Sequence, residues 1–396
     1  MKIAYYLNEF PAISESFILN QIVELIKKGH DISIFSMINP IDEIQHEEIK
    51  AYNLVERTHY FKLENLLEMK NLKKWFFFFK FLLKNIYHTG ISKRRIKLDI
   101  KKACFAAIMD KMDIDIIHAH FGTNGNHSIQ LKQVLKRPLI TSFYGFDAAI
   151  ADSTTYLELF NTADKITVLS NDMKNDMLAL GCPEENIIIH HLGVDLDKFS
   201  YTQRYVNPNE KAIFLCVGRF VEKKGITYAI KAFSRLLIEY KNVELRIIGD
   251  GGMKKEIEDL IFRLKLQKNV ILLGSYTHTG IIDEMHRSHI FLLPSITAEN
   301  GDKEGTPTVL MEAQATGMPV LSTYHAGIPE VVINGKTGYL VEEKNIDSLY
   351  EKMKYIVEQP KIWNKLGKNG RNHIKENYNI SNQVEKLEYI YKDVIK

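Results

Sequence analysis

Apolar positions along this chain fall into two kinds of run, and the two kinds alternate. Short continuous blocks at residues 2–7, 31–35, 114–119, 139–143, 165–169 and 187–189 predict strands buried on both faces. After the first block, Phe17, Ile18, Ile22, Leu25 and Ile26 recur at helical spacing, which predicts an amphipathic helix over residues 14–28 closed by Gly29. The second half repeats the rhythm more regularly. Strands are expected at 212–217, 244–248, 270–273, 290–293, 319–322 and 338–341, and helices at 225–237, 253–264, 279–287 and 307–315. Helical periodicity resumes from Ile346 to the end. Short buried strands alternating with helices mean βαβ units and a parallel sheet, so the fold class is α/β.

Length sets the number of such sheets. At roughly 100–200 residues per domain, 396 residues suggest two domains. Residues 192–209 carry few apolar side chains and read as the linker between two Rossmann-like domains, 1–195 and 205–375. A last helix, 376–396, is expected to pack back on the N-terminal domain. Ligands of such sheets bind outside the carboxyl ends of the strands, so the loops after the strands are where chemistry is expected.

Composition removes other classes. With 45% hydrophobic and 26% charged residues, the chain is neither a disordered nor a collagen-like sequence. Its three cysteines, Cys104, Cys182 and Cys216, lie far apart, which fits a reducing compartment and argues against structural zinc. The opening residues form too short an apolar run for a secretion signal, and no apolar stretch predicts a membrane span. A net charge of +3 does not indicate a nucleic-acid binder.

Four strand-end loops carry candidate chemistry. Gly218-Arg219 and Lys224 follow a strand and precede a helix, so both cations can turn toward one anion, the Arg fork suiting a diphosphate; a solvated basic turn is the other reading. Gly249-Asp250-Gly251-Gly252 allows close approach of backbone to ligand, though a plain tight turn explains it as well. The third loop, Pro294 to Ala313, places Glu304 before a helix whose first residue is expected to be Pro307, and Glu312 within it. Amides near Thr308 and Val309 lie between the two carboxylates, at the positive end of the helix dipole. This arrangement suits a sugar nucleotide, with carboxylates for hydroxyls and amides for phosphate. The fourth constellation is His118-Ala119-His120 at one strand end and Tyr144 to Asp147 at another. The two histidines are expected to point to opposite faces, one into the core and one into the cleft, which disfavours a shared metal.

These residues resemble a family. Glu304-x7-Glu312, Gly218-Arg219-x4-Lys224, Ala163 to Ser170, Gly193-Val194-Asp195-x3-Phe199 and Gly317-Met318-Pro319-Val320 are similar to the motifs of retaining glycosyltransferases of family 4. Phe10-Pro11-x2-Ser14-Glu15-Ser16, the loop Thr297 to Asp302 and Gly327-Ile328-Pro329-Glu330 look like bacterial exopolysaccharide enzymes of the colanic-acid and amylovoran type. The resemblance implies the GT-B fold, two Rossmann-like parallel-sheet domains facing across a cleft, and retention at the anomeric carbon. It implies a UDP- or GDP-hexose co-substrate with no metal. Glu304, Arg219, Lys224 and His120 are then the catalytic set. Gly218, Glu312, Gly305, Thr306, Thr308, Val309, Gly249 and Tyr276 fall on the donor side, and Ser14, Glu15, Tyr144 and Asp147 on the acceptor side. Tyr144 stands where relatives often carry histidine, and a tyrosine is a poor base at neutral pH. A soluble small-molecule acceptor and a non-catalytic nucleotide-sugar scaffold are the competing readings.

Charge returns once it is read locally. Residues 70–102 hold eleven Lys or Arg against one Asp, together with Trp75 and the run Phe76 to Phe79. Cations beside aromatics suit an anionic lipid surface. The resemblance implies polyprenyl-diphosphate-linked acceptors, so the enzyme is expected in the cytoplasm, peripheral at the inner face of the plasma membrane.

Overall fold

The computed structural model describes residues 1–12, 15–40, 47–61, 93–149, 151–152, 154–207 and 210–396. Ser14 and residues 70–92 of the basic aromatic stretch lie outside them. The chain divides into two compact units. The first comprises Met1–Val168, Lys174–His190 and Val384–Lys396, the second Leu169–Met173 and His191–Gln383.

The first unit is built on a seven-stranded sheet: β1 (Lys2–Glu9), β2 (Asp31–Ile38), β3 (Thr58–Tyr60), β4 (Ile116–His120), β5 (Leu139–Ser142), β6 (Lys165–Val168) and β7 (Ile187–Ile189). Its order is β3-β2-β1-β4-β5-β6-β7, and every pairing is parallel. Ile3, Ala4, Tyr5, Tyr6 and Leu7 of β1 are all fully buried, as the unbroken apolar run requires of a central strand. The periodicity did not reveal the helix Lys93–Met112, because its first turns are dominated by lysine and arginine. Its later part is core: Ala103, Phe105, Ala106 and Met109 are buried. Two cations assigned to the lipid-facing stretch also turn inward. Lys102 is 5% exposed and pairs with Asp99 at 3.1 Å, and Lys101 donates to the Met37 carbonyl at 3.1 Å.

A polar cluster lies beneath the β1/β4 junction. His118 and His120 do not point to opposite faces. Residues two apart on a strand share a face, and the two rings lie side by side with centroids 4.2 Å apart. His118 hydrogen-bonds Tyr391 through Nδ1 (2.6 Å) and Ser142 through Nε2 (2.7 Å). Tyr5 donates to Gln21 Oε1 at 2.6 Å. Tyr391 comes from the helix Ile380–Ile395, whose Glu388 also meets His30 at 2.6 Å and whose Glu385 meets Lys28 at 3.0 Å. Burial, then the charges His120 and His190 would carry, hold His118 well below the ordinary histidine range. Burial, then His190, brings His120 down to about 3.

The second unit carries β8 (Ala212–Val217), β9 (Val243–Ile248), β10 (Val270–Gly274), β11 (Ile290–Leu293), β12 (Val320–Thr323) and β13 (Gly338–Val341). Their order is β10-β9-β8-β11-β12-β13, again parallel throughout. The helices Ile226–Glu239, Lys254–Arg263, His278–Arg287 and Thr308–Ala315 connect the strands. The segment read as a linker packs on this unit: Val194 N–H bonds the Tyr378 carbonyl at 2.7 Å and Thr202 N–H the Thr316 carbonyl at 3.0 Å. Phe199 is buried, and Arg371 donates to its carbonyl at 2.5 Å. Few apolar residues suffice there, because main-chain groups and arginines hold the segment.

Strand order reverses between β8 and β11, where a doubly wound sheet opens toward a ligand. Gly225 sits at that point with φ +64°, and a Cβ on it would lie 1.9 Å from the Pro294 carbonyl oxygen. Gly225→Ala is therefore expected to lose about 2–4 kcal/mol of stability in urea titrations. Gly252→Ala, which meets nothing within 4 Å, is expected to stay near wild type; equal effects of the two would contradict this packing. A second expectation concerns pH. The unfolded chain protonates His118 and His120 near 6.5, while the folded chain resists until far lower pH. Stability is then full above about 6.5 and falls as the pH drops toward 3, by about 1.4 kcal/mol per pH unit per histidine. Urea midpoints between pH 7 and 4.5 should fall less steeply in His120→Gln than in wild type.

Candidate active site

In the second unit the loops after β8 and β11 meet. The β8 loop turns through the short 3-10 segment Glu222–Lys224 and ends at Gly225. Lys224 lays its stem over Gly218, where a Cβ would approach its Cδ to 3.3 Å. The ammonium reaches Glu304 Oε1 at 2.7 Å, with side-chain exposures of 13% and 8%. Burial pushes the Glu304 carboxyl up; the charges of Lys224 and Lys223 and the hydrogen bond from Lys224 outweigh it, and the carboxyl lies below its ordinary range. Glu304 is thus an ionised carboxylate in a largely dry setting. Removing either partner would leave a buried charge uncompensated.

The β11 loop, long and without regular structure, is fastened at several points. Lys223, itself buried, donates to Asp302 at 2.9 Å and to the Lys303 carbonyl at 3.2 Å. Lys303 pairs with Asp172 at 2.7 Å. Glu222 accepts the Glu299 N–H at 3.1 Å, and Glu343 accepts the Thr297 N–H at 2.7 Å. His325 accepts the Glu304 N–H at 3.0 Å. Gly327 packs against Gly305 and Thr306, where a Cβ would meet the Gly305 carbonyl at 2.7 Å. Lys223, His325 and Glu343 are not among the residues that the sequence singles out. Only Lys223 had a signal, its place beside Lys224; the other two stand at strand ends distant in sequence.

Pro307 is not the first helical residue. Its ψ of 112° makes it the cap, and the helix begins at Thr308. No side chain caps that end, so the first-turn amides of Thr308 and Val309 face outward along the helix axis. Glu312, one turn in, is half-buried with His278 Nε2 4.0 Å away. The Thr306 hydroxyl is buried and has no hydrogen-bond partner among the described residues. Arg219 and Tyr276 are exposed, and Arg219 makes no ion pair among the described residues. Gly249, at φ +149°, lies against the Gly218 carbonyl, where a Cβ would stand 1.9 Å away. Structure therefore brings Gly218, Lys224, Gly249, Glu304, Gly305 and Thr306 together around the β8/β11 junction.

The first unit holds the other candidates. His120 is fully buried, bonds Tyr144 OH through Nδ1 at 2.7 Å, and leaves Nε2 without a partner among the described residues. Tyr144 is raised well above the usual phenol value, by burial first and then by Tyr5, so it remains a neutral phenol. Asp147 does not present an open carboxylate on the acceptor side. Its oxygens accept the N–H groups of Gly122 (2.6 Å) and Tyr144 (2.8 Å), tying together the loops after β4 and β5. Glu15 is half-buried, and burial followed by the Glu9 charge lifts it to about 7.

Comparison with known proteins agrees with this architecture. Residues 197–373 match the family described as glycosyl transferases group 1, and residues 14–198 match glycosyltransferase family 4. A protein named for colanic acid biosynthesis, the glycosyltransferase WcaL of Salmonella typhimurium, is 31% identical over 371 residues, covering 88% of this chain and 89% of that one. The amylovoran biosynthesis glycosyltransferase AmsK of Erwinia amylovora is 31% identical over 363 residues, with coverage of 88% and 89%. Among solved structures, Anabaena Alr3699/HepE in complex with UDP superposes with a TM-score of 0.76 at 15% identity over 99% of this chain and 100% of that one. The same protein is known in complex with UDP-glucose (TM-score 0.74). The chain belongs to glycosyltransferase family 4 and is a glycosyltransferase of the GT-B fold.

Proposed function

We propose that this glycosyltransferase moves a hexose from a nucleotide-diphosphate sugar to a lipid-linked glycan, with retention at the anomeric carbon, in the assembly of a bacterial surface polysaccharide. One observation carries the reading: the Lys224–Glu304 pair, 2.7 Å apart and mostly withdrawn from water, at the β8/β11 switch point. A lysine ammonium has three N–H donors, and Glu304 takes one, leaving two to meet phosphate oxygens. Arg219, exposed and unpaired among the described residues, adds a planar fork for the same diphosphate. Charge builds on that diphosphate as the sugar leaves, and fixed cations in a dry site stabilise it most. These two cations supply the countercharge, so no metal is called for in this reading.

Glu304, ionised, accepts from the sugar hydroxyls or steadies positive charge near the reacting carbon. Glu312 takes the ribose hydroxyls, and the Thr308 and Val309 amides take phosphate. In the same-face reaction the bond from the anomeric carbon to the phosphate oxygen breaks, the acceptor oxygen bonds to that face, and its proton passes to the departing phosphate. Neutral His120 offers a hydrogen-bonding nitrogen, Nε2, and no charge. The nucleotide-sugar donor is supported by the UDP and UDP-glucose complexes of the structural relative, and the polysaccharide setting by the names of the sequence relatives.

Glu304→Gln and Lys224→Ala are each expected to lower turnover by about 10²–10³-fold while the thermal unfolding profile stays cooperative. Purified protein with UDP-glucose, UDP-galactose, UDP-N-acetylglucosamine and GDP-mannose, read by donor hydrolysis and thermal shift, makes the test. Near-normal turnover in either variant would overturn the site.

We also propose a cytoplasmic enzyme held peripherally at the inner face of the plasma membrane through residues 70–92. Support is the sequence alone, Trp75 and Phe76 to Phe79 among lysines. Among the described residues no helix is long and apolar enough to cross a membrane. Wild-type protein should float with phosphatidylglycerol vesicles, and replacing Trp75 and Phe76–Phe79 by serine should abolish flotation; unchanged flotation contradicts the proposal.

A further inference from the structure

Glu304 stands in a loop with no regular secondary structure, so the direction of its side chain depends on how the main chain there is held. Its own N–H points at His325 Nε2, 3.0 Å away. A backbone N–H can only donate, so Nε2 carries the lone pair and the ring proton resides on Nδ1. Nδ1 lies 2.6 Å from Glu343 Oε1, to which it donates. The other oxygen of Glu343 accepts the Thr297 N–H at 2.7 Å. One carboxylate just beyond β13 therefore holds two places in the β11 loop, Thr297 directly and Glu304 through an imidazole. A third strap comes from β12, where the Thr323 hydroxyl donates to the Ser295 carbonyl. His325 is 1% exposed and reaches no open space.

We propose that His325 and Glu343 are positioning residues for transfer: the Glu343–His325 link fixes the main chain at Glu304 and so keeps its carboxylate on Lys224. This rests on the donor-side role given to Glu304 above. The geometry is directional. The imidazole must accept on one side and donate on the other, and Glu343 must accept twice. Release of the Glu304 N–H would let the loop turn and carry the carboxylate away from the ammonium, and small misplacements of such a group are costly to the chemical step.

The test uses full-length protein and the nucleotide sugar turned over fastest in the four-member panel, with its nucleoside diphosphate as binding probe. His325→Phe keeps a ring but removes the acceptor. His325→Gln places Oε1 near the position of Nε2 and retains it. Glu343→Ala removes both accepting oxygens. His325→Phe and Glu343→Ala are expected to lower kcat by about 10- to 100-fold, with donor KM and nucleoside-diphosphate Kd within about threefold of wild type. His325→Gln should keep kcat within about threefold. A purely structural role would lower Tm without this split between kcat and KM and without rescue by glutamine. Wild-type kcat in His325→Phe, or His325→Gln as slow as His325→Phe, overturns the proposal. Should His325→Phe fail to fold, Glu343→Ala against His325→Gln decides, and wild-type kcat in Glu343→Ala overturns it. An inactive Glu304→Gln beside an active His325→Phe removes the link alone, whereas an active Glu304→Gln removes the donor-side reading itself.

Discussion

Two loops leaving neighbouring strands of the second sheet are pressed together until only a glycine fits between them. Gly225 occupies the spot where the β8 loop meets the Pro294 carbonyl, and the site follows from that approach. It brings Lys224 to Glu304, although the two stand eighty positions apart in the chain. It places Lys223 where it can grip Asp302 and the Lys303 carbonyl. The pairing is electrostatically demanding, because each charge has surrendered water and depends on the other. A pair held in this way is fixed in place by its own surroundings.

Much of this was legible in the residues. The apolar blocks of β8 and β11 predict strands with the bounds the structure gives them, since buried parallel strands are unbroken apolar runs and their ends are marked by Gly218 and Pro294. Lys224 and Glu304 could be chosen because loop residues at strand ends in a parallel sheet converge. What the sequence hid has physical causes too. Helix Lys93–Met112 was masked by its cationic first turns, whose charge suggested a surface while the segment from Ala103 turned into the core. His118 and His120, expected on opposite faces, share one, because residues two apart on a strand point the same way. His325 and Glu343 left no trace, because His325 meets Glu304 at its backbone N–H, a group that every residue but proline carries.

The first unit solves a different problem with the same materials. Its core beneath β1 and β4 holds a polar cluster, in which Tyr5 donates to Gln21 and His118 bonds Ser142 and Tyr391 at hydrogen-bond distances. Burying such groups is tolerable only when partners are present. The cluster consequently holds its rings in fixed orientation, and His120 inherits that rigidity through its contact with His118 and Tyr144. Asp147 adds a carboxylate clasp over two main-chain amides of the same region.

Tyr391 gives this arrangement a consequence in time. A ribosome makes the helix Ile380–Ile395 after every strand of both sheets. Until that helix is made, His118 has the Ser142 hydroxyl on one nitrogen but lacks the Tyr391 hydroxyl on the other, which stands 273 positions farther along the chain. The polar interior of the first unit cannot be completed until the second unit has been made. Completion of the early half is thus coupled to arrival of the late half, and a chain interrupted before Tyr391 carries its defect far upstream, at His118.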